Sequence, residues 1–135
     1  RRVALIMIDL DRFKRVNDGF GHLMGDQVLQ AVARLLSRHA LESDLVGRFG
    51  GEEFTILIRC PGAAAHAVDL ATRLRSEIAA LELPLNLRVT ASFGIAHLVP
   101  APDSSLDEIL ASADTALYEA KARGRDCVHV LAKSA

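Results

Sequence analysis

The stretch RFGGEEF, Arg48 to Phe54, sets two glycines and two adjacent glutamates between the apolar runs DLVGRF (44–49) and FTILIRC (54–60). Two glycines supply the positive φ angles of a two-residue turn, and both flanks have strand composition, so the segment reads as a β-hairpin. A hairpin alone leaves the acids unexplained. Neighbouring carboxylates at the mouth of a turn repel each other unless a cation lies between them.

Working outward, VALIMID (3–9) is a continuous apolar run of strand length, the pattern of a central strand covered on both faces. DRFKRVN (11–17) is expected to form a short helix broken by Gly19 and Gly21. Asp26 is expected to cap a longer helix whose apolar positions are Val28, Leu29, Val32, Leu35 and Leu36. Pro61-Gly62 closes the hairpin. The next helix carries the stripe Ala67, Leu70, Ala71, Leu74, Ile78 and Leu81, and is expected to end at Pro84. LRVTASFGIAHL (87–98) is β-rich, with Gly94 read as a bulge. Ser105 and Glu108 form a capping box for a helix bearing Ile109, Ala113, Leu117 and Ala120, stopped by Gly124. CVHVL (127–131) is the last strand.

This order is the βαββαβ pattern of a ferredoxin-like α/β sheet, with one helix and one strand appended. In that topology the first and third strands are antiparallel neighbours. The C-terminal end of the first strand, Asp9, then meets the start of the third, Glu52 and Glu53. Three carboxylates remote in sequence converge at one edge of the sheet, a hard-oxygen set suited to Mg²⁺ together with substrate phosphates. Asp9 taken alone has a second reading, a strand-end acid capping the helix that follows, which the two glutamates make the weaker one.

Composition narrows the classes. At 135 residues the length is that of one domain, with half the residues hydrophobic and a quarter charged. A net charge of −1 without a basic block argues against duplex DNA or an anionic membrane as partner. Cys60 and Cys127 stand far apart with no CxxC spacing, so neither zinc nor a disulfide framework is indicated. The run Val3 to Ile8 is too short to cross a bilayer, and no signal peptide precedes it, so a cytoplasmic setting is expected. The chain starts at Arg1 without methionine, as expected of a piece of a longer protein.

The residues after Asp9 suggest what a metal would hold. A helix starting near Asp11 would leave the backbone N–H groups around Arg12, Phe13 and Lys14 free, an anion site strengthened by the Lys14 charge. Lys121 and Arg125 in KARGR are either further phosphate contacts or cations favoured by a helix dipole. Asn17 and Asp26 are either local polar residues, the second an N-cap, or groups that read a base edge such as guanine's. His22 between them is open to the same two readings.

Three motifs in order, IDLDRFKRVNDGFGHLMGD, RFGGEEF and ADTALYEAKARGR, together resemble the GGDEF domain of diguanylate cyclases over nearly the whole chain. The resemblance implies a palm-like sheet similar to that of adenylyl cyclases and polymerases. It implies that two GTP molecules are joined into cyclic di-GMP with release of pyrophosphate. By the same resemblance, Asp9, the Leu10 carbonyl, Glu52 and Glu53 hold divalent metal, two Mg²⁺ or Mn²⁺ ions per site. Glu52 helps deprotonate the ribose 3′-hydroxyl; the commonest family form has Asp there, and Glu also occurs in active members. Asn17 and Asp26 bind guanine with His22 near the nucleotide, while Lys14, the amides near Phe13, Lys121 and Arg125 hold the triphosphate.

A symmetric product made from one nucleotide per domain implies a homodimer facing across a two-fold axis. An Asp-x-Leu-Thr turn that usually precedes this point is absent. The expectation is therefore a single domain over 1–135, with an upstream sensor and possible membrane anchor elsewhere in the full protein. A non-catalytic GTP- or cyclic di-GMP-binding module is the alternative, which the intact acids argue against. The family's product-inhibition site, Arg-x-x-Asp, corresponds to LESD (41–44). Leu41 replaces the arginine there, Asp44 and Arg73 remain, and Asp69 one turn before Arg73 would repel a phosphate.

Overall fold

The computed structural model of the chain describes residues 2–131. The outermost ends of the expected 1–135 domain lie outside them. The elements are β1 (Arg2–Leu10), α1 (Phe13–Phe20), α2 (His22–His39), β2 (Leu45–Gly50), β3 (Glu53–Cys60), α3 (Ala63–Ala79), a 3₁₀ turn (Pro84–Asn86), β4 (Ala91–Leu98), α4 (Leu106–Ala122) and β5 (Val128–Val130). They build one five-stranded sheet in the order β2-β3-β1-β4-β5. The β1 strand runs antiparallel to both neighbours, and β5 alone pairs in parallel, against β4. This is the expected ferredoxin-like α/β sheet with an appended helix and strand.

Coverage of both faces explains the unbroken apolar run of β1. Ala4, Ile6, Ile8 and Leu10 join the main core with the buried faces of α1, α2 and α3. Leu5 and Met7, on alternate positions, join Ala96 and the α4 residues Ile109, Ala113 and Leu117 on the opposite face. No helix among the described residues is long and apolar enough to cross a membrane. Cys60 and Cys127 are free thiols.

Several local expectations are corrected. The first helix runs through Gly19 and breaks only at Gly21, whose φ of 88° few other residues adopt. Asp26 is not a cap: α2 already starts at His22, so Asp26 lies one turn inside it. The hairpin turn rests on Gly51 and Glu52, with Gly51 at φ 43°, while Gly50 still belongs to β2. Leu81 falls beyond the end of α3, and Pro84 opens the 3₁₀ turn rather than ending the helix. Gly94 is no bulge, because it sits in unbroken register opposite Met7. A Cβ there would collide with the α4 backbone at Ala113 and Leu117, so glycine is what lets α4 lie directly on β4. The Ser105 cap is as expected, its hydroxyl accepting from the Glu108 N–H.

Candidate active site

The register of β1 against β3 puts Asp9 opposite Glu53. The N–H of Leu10 donates to the Glu52 carbonyl at 3.3 Å, which ties the hairpin turn to the end of β1. Arg48 braces the same turn from within, its Nε donating to the Gly51 carbonyl at 2.9 Å. Asp9 is 6% exposed. Its Oδ2 accepts from Lys121 Nζ on the last turn of α4, and its Oδ1 is buried with no hydrogen-bond partner among the described residues.

Electrostatics shows a site short of positive charge. Burial pushes the Asp9 carboxyl above the usual range; Lys121 pulls it back, and the charges of Glu52 and Asp11 raise it further. Glu53 is also raised, first by burial and then by the charge of Asp9, with Asp114 and Glu52 adding to the repulsion and Lys121 opposing it. Removing a charged group from water is costly unless it is paired, and Lys121 covers only one oxygen of one carboxylate.

These residues fit a hard divalent cation. An orphaned carboxylate oxygen beside two further acids supplies the donor chemistry that Mg²⁺ or Mn²⁺ takes. Among the described residues no three His, Cys, Asp or Glu side chains are gathered closely enough to hold a metal by themselves. Mg²⁺ commonly keeps part of its shell for water and substrate phosphate.

Beyond β1 the chain turns through Asp11 and Arg12, the latter left-handed at φ 55°, into α1. Among the described residues no side chain caps this helix, and uncapped helix starts offer their first N–H groups to an anion. Its first residue, Phe13, is buried, while Lys14 is exposed and paired with Asp18 at 3.0 Å. Asn17 lies on the same helix. A Cβ at Gly25 would overlap the Asn17 side chain, so the small residue seats Asn17 against α2 beside Asp26. Asp26 is exposed and lines a cavity of about 380 Å³ between α2 and the hairpin, with Gln30, Ala33, Gly47, Arg48 and Phe54. His22, at the start of α2, is exposed and does not line it. Asn17 and Asp26, nine positions from each other across a break, are thus brought close together, with Asp26 on the wall of the cavity.

Lys121 and Arg125 sit on either side of the end of α4. Lys121 reaches the site, where it is bonded to Asp9. Arg125 belongs to the turn between α4 and β5, held through its backbone N–H to the Ala120 carbonyl at 3.1 Å. The turn is fixed by a residue that sequence reasoning passed over. Asp11, buried, accepts from Thr90 Oγ1 at 2.7 Å, Ser92 Oγ at 2.6 Å and the Asp126 N–H at 2.9 Å. Its carboxylate therefore serves β4 and the α4–β5 turn rather than the start of α1. The D-x-D spacing of Asp9 and Asp11 was the visible signal; Thr90 and Ser92 gave none.

In the LESD stretch (41–44), Leu41 is 56% exposed just past the end of α2. Asp44 is buried, and its Oδ2 accepts from the Leu41 N–H at 2.9 Å and pairs with His66 at 3.0 Å. Arg73 is exposed on α3.

Comparison with known proteins gives a consistent result. Residues 1–127 match the family described as diguanylate cyclase, GGDEF domain. The chain is 44% identical over 126 residues to the diguanylate cyclase DgcM of Escherichia coli, covering 93% of this chain and 30% of that protein. It is 40% identical over 131 residues to the diguanylate cyclase DgcP of Pseudomonas aeruginosa, covering 95% of this chain and 19% of that protein. It thus spans well under half the length of these curated relatives. Among solved structures, the active GGEEF domain of a diguanylate cyclase from Vibrio cholerae superposes with a TM-score of 0.91 at 32% identity, covering 99% of this chain and 85% of that one. The GGDEF domain of DgcB from Caulobacter crescentus, in complex with c-di-GMP, gives a TM-score of 0.86 at 33% identity, covering 96% of this chain and 78% of that one.

Proposed function

The chain belongs to the GGDEF family of diguanylate cyclases, and from that premise we propose that it condenses two GTP molecules into cyclic di-GMP for second-messenger signalling. In each half of the reaction a ribose 3′-oxygen attacks the α-phosphorus of the other GTP. A phosphodiester bond forms, the α–β phosphoanhydride breaks, and pyrophosphate leaves; two such steps close the ring. One domain holds one nucleotide, so two copies act face to face across a two-fold axis.

The observation that carries this reading is the Asp9 carboxylate, buried at the junction of β1 and the hairpin with one oxygen unpartnered and Glu52 and Glu53 beside it. Asp9, the Leu10 carbonyl, Glu52 and Glu53 would hold two Mg²⁺ or Mn²⁺ ions. Bound metal would neutralise the phosphates and acidify the attacking hydroxyl. Glu52, on the turn, takes the 3′-hydroxyl proton. The uncapped start of α1 around Phe13, together with Lys14, receives the triphosphate, and Lys121 and Arg125 add charge from the end of α4. Asn17 and Asp26 read the guanine edge beside the α2–hairpin cavity, with His22 near the nucleotide. Phosphoryl transfer asks for this kind of positioning and charge neutralisation more than for covalent chemistry from the protein. An upstream sensor domain, which would bring two copies together, fits the greater length of the relatives.

The test is to incubate the chain, dimerised through a fused coiled coil, with GTP and Mg²⁺ and to separate the products by chromatography. Cyclic di-GMP and pyrophosphate are expected. GTP binding without product would move the reading to a regulatory module, and no GTP binding would overturn both.

A further inference from the structure

We propose that Asp11 is a positioning residue for the triphosphate, acting through the α4–β5 turn; the inference rests on the cyclase reading above. The carboxylate sits one residue past the Asp9–Leu10 pair at the end of β1 and binds three donors from two other parts of the chain. Its Oδ2 accepts from Thr90 Oγ1 and from the Asp126 N–H, and its Oδ1 accepts from Ser92 Oγ. The N–H of Asp11 donates to the Thr90 carbonyl at 2.8 Å, so both ends of the residue are locked to the approach to β4.

What this anchor holds is a turn with an unfavourable backbone. Arg125 and Asp126 are consecutive non-glycine residues in the left-handed region, at φ 65° and 47°. Such conformations persist only where the surroundings over-determine them. Here the determinants converge on Asp126: its N–H goes to Asp11, and its carboxylate takes Arg75 of α3 at 3.0 Å. The next residue, Cys127, accepts from the Phe93 N–H at 2.9 Å, which starts the pairing of β5. Asp11 is the only one of these anchors placed next to the metal-ligating end of β1. Its bond to the Asp126 N–H restrains the turn that holds Arg125 and that follows directly on the last turn of α4, from which Lys121 reaches Asp9. One buried side chain thus ties the end of β1 to the turn that lies beside both cations.

The hydrogen-bond inventory separates geometry from charge. In Asp11→Asn the amide oxygen can take the Oδ2 place, accepting from Thr90 and the Asp126 N–H. The amide nitrogen then faces Ser92, whose hydroxyl can rotate to accept. In Asp11→Ala the turn loses its anchor altogether.

Steady-state kinetics with GTP, together with equilibrium binding of a fluorescent GTP analogue, compares the two variants with the wild-type chain in its coiled-coil-dimerised form. Asp11→Asn should keep KM and the analogue Kd within about 1.5-fold. Asp11→Ala should raise both by about tenfold or more with kcat within about fivefold, because misplaced phosphate contacts weaken binding. Unchanged KM in Asp11→Ala, a loss confined to kcat, or equal damage by both variants would overturn the assignment. If Asp11→Ala melts below the assay temperature, Thr90→Val takes its place; it should raise KM about threefold, and no change would be equally fatal. A wild-type chain that binds no GTP would instead refute the cyclase reading itself.

Discussion

Replacing Lys121 by methionine tests the charge balance of the site directly. The lysine donates to Asp9 Oδ2, and the side chains are 34% and 8% exposed. Methionine keeps most of the aliphatic stem, so the packing of α4 is retained and the charge alone is lost. Breaking a fully buried pair costs about 3–5 kcal/mol, whereas an exposed pair is worth about 0–1 kcal/mol. With one partner buried and the other a third exposed, about 2 kcal/mol is expected. For a chain of 135 residues that is a fall in Tm of roughly 6–10 °C in metal-free buffer. Saturating Mg²⁺ should then raise Tm more in Lys121→Met than in the wild type. The cation would occupy a carboxylate left without its partner, whereas in the wild type it must first displace Lys121. Differential scanning fluorimetry in EDTA and across a Mg²⁺ titration reads both effects. Equal Tm values in EDTA, or equal gains with Mg²⁺, would show that Lys121 does not hold the place of a metal at Asp9.

Further outcomes are expected from substitutions elsewhere in the site and fold. Glu52→Gln should lower kcat by about a hundredfold or more while GTP affinity stays within about tenfold, since a proton acceptor acts in the transition state; Glu53→Gln should instead raise the metal concentration needed for half-maximal rate. Asp26→Ala should leave Tm within about 2 °C, because the residue is exposed inside α2 and caps nothing, yet weaken GTP by about tenfold or more through the lost bond to a base. Gly94→Ala should cost at least about 1–3 kcal/mol, as its Cβ meets α4 backbone rather than a movable side chain; chemical denaturation would show this, and wild-type stability would mean that α4 does not lie so close. Cyclic di-GMP should bind poorly at the Leu41–Asp44 stretch by calorimetry, with Leu41→Arg gaining affinity; tight wild-type binding abolished by Asp44→Ala would refute this.

The large features were legible because they rest on local pattern plus topology. Once VALIMID reads as a central strand and RFGGEEF as a hairpin, a ferredoxin-like order makes them neighbours, and the facing of Asp9 and Glu53 follows from register alone. The capping of α4 by Ser105 was legible for the opposite reason: its partner Glu108 is three residues away. Asp26 misled for the same local reason. An aspartate after a glycine-rich stretch has cap chemistry, yet helix α2 starts four residues earlier, at His22, directly after the Gly21 break. Gly94 misled similarly. A glycine in a strand has two physical explanations, a bulge or a close approach, and the choice lies in α4, which follows later in the chain.

The same reasoning shows where a sequence stops speaking about a site. Asp11 lay two residues from the first identified acid, and its chemistry as an acceptor was plain. Its donors are 79, 81 and 115 positions away, and two of them are hydroxyls whose residue types fit almost any strand. Acceptor capacity can be read from one residue, but satisfaction is a property of the fold. Asp44 shows the same dependence on the fold: its Oδ2 pairs with His66, 22 positions on, a partner that no local pattern around Asp44 announces. A matching residue type therefore argues for a binding role only as far as its hydrogen-bonding capacity is left open. Asp9 meets that condition at Oδ1, whereas Asp11 has both carboxylate oxygens engaged within the protein.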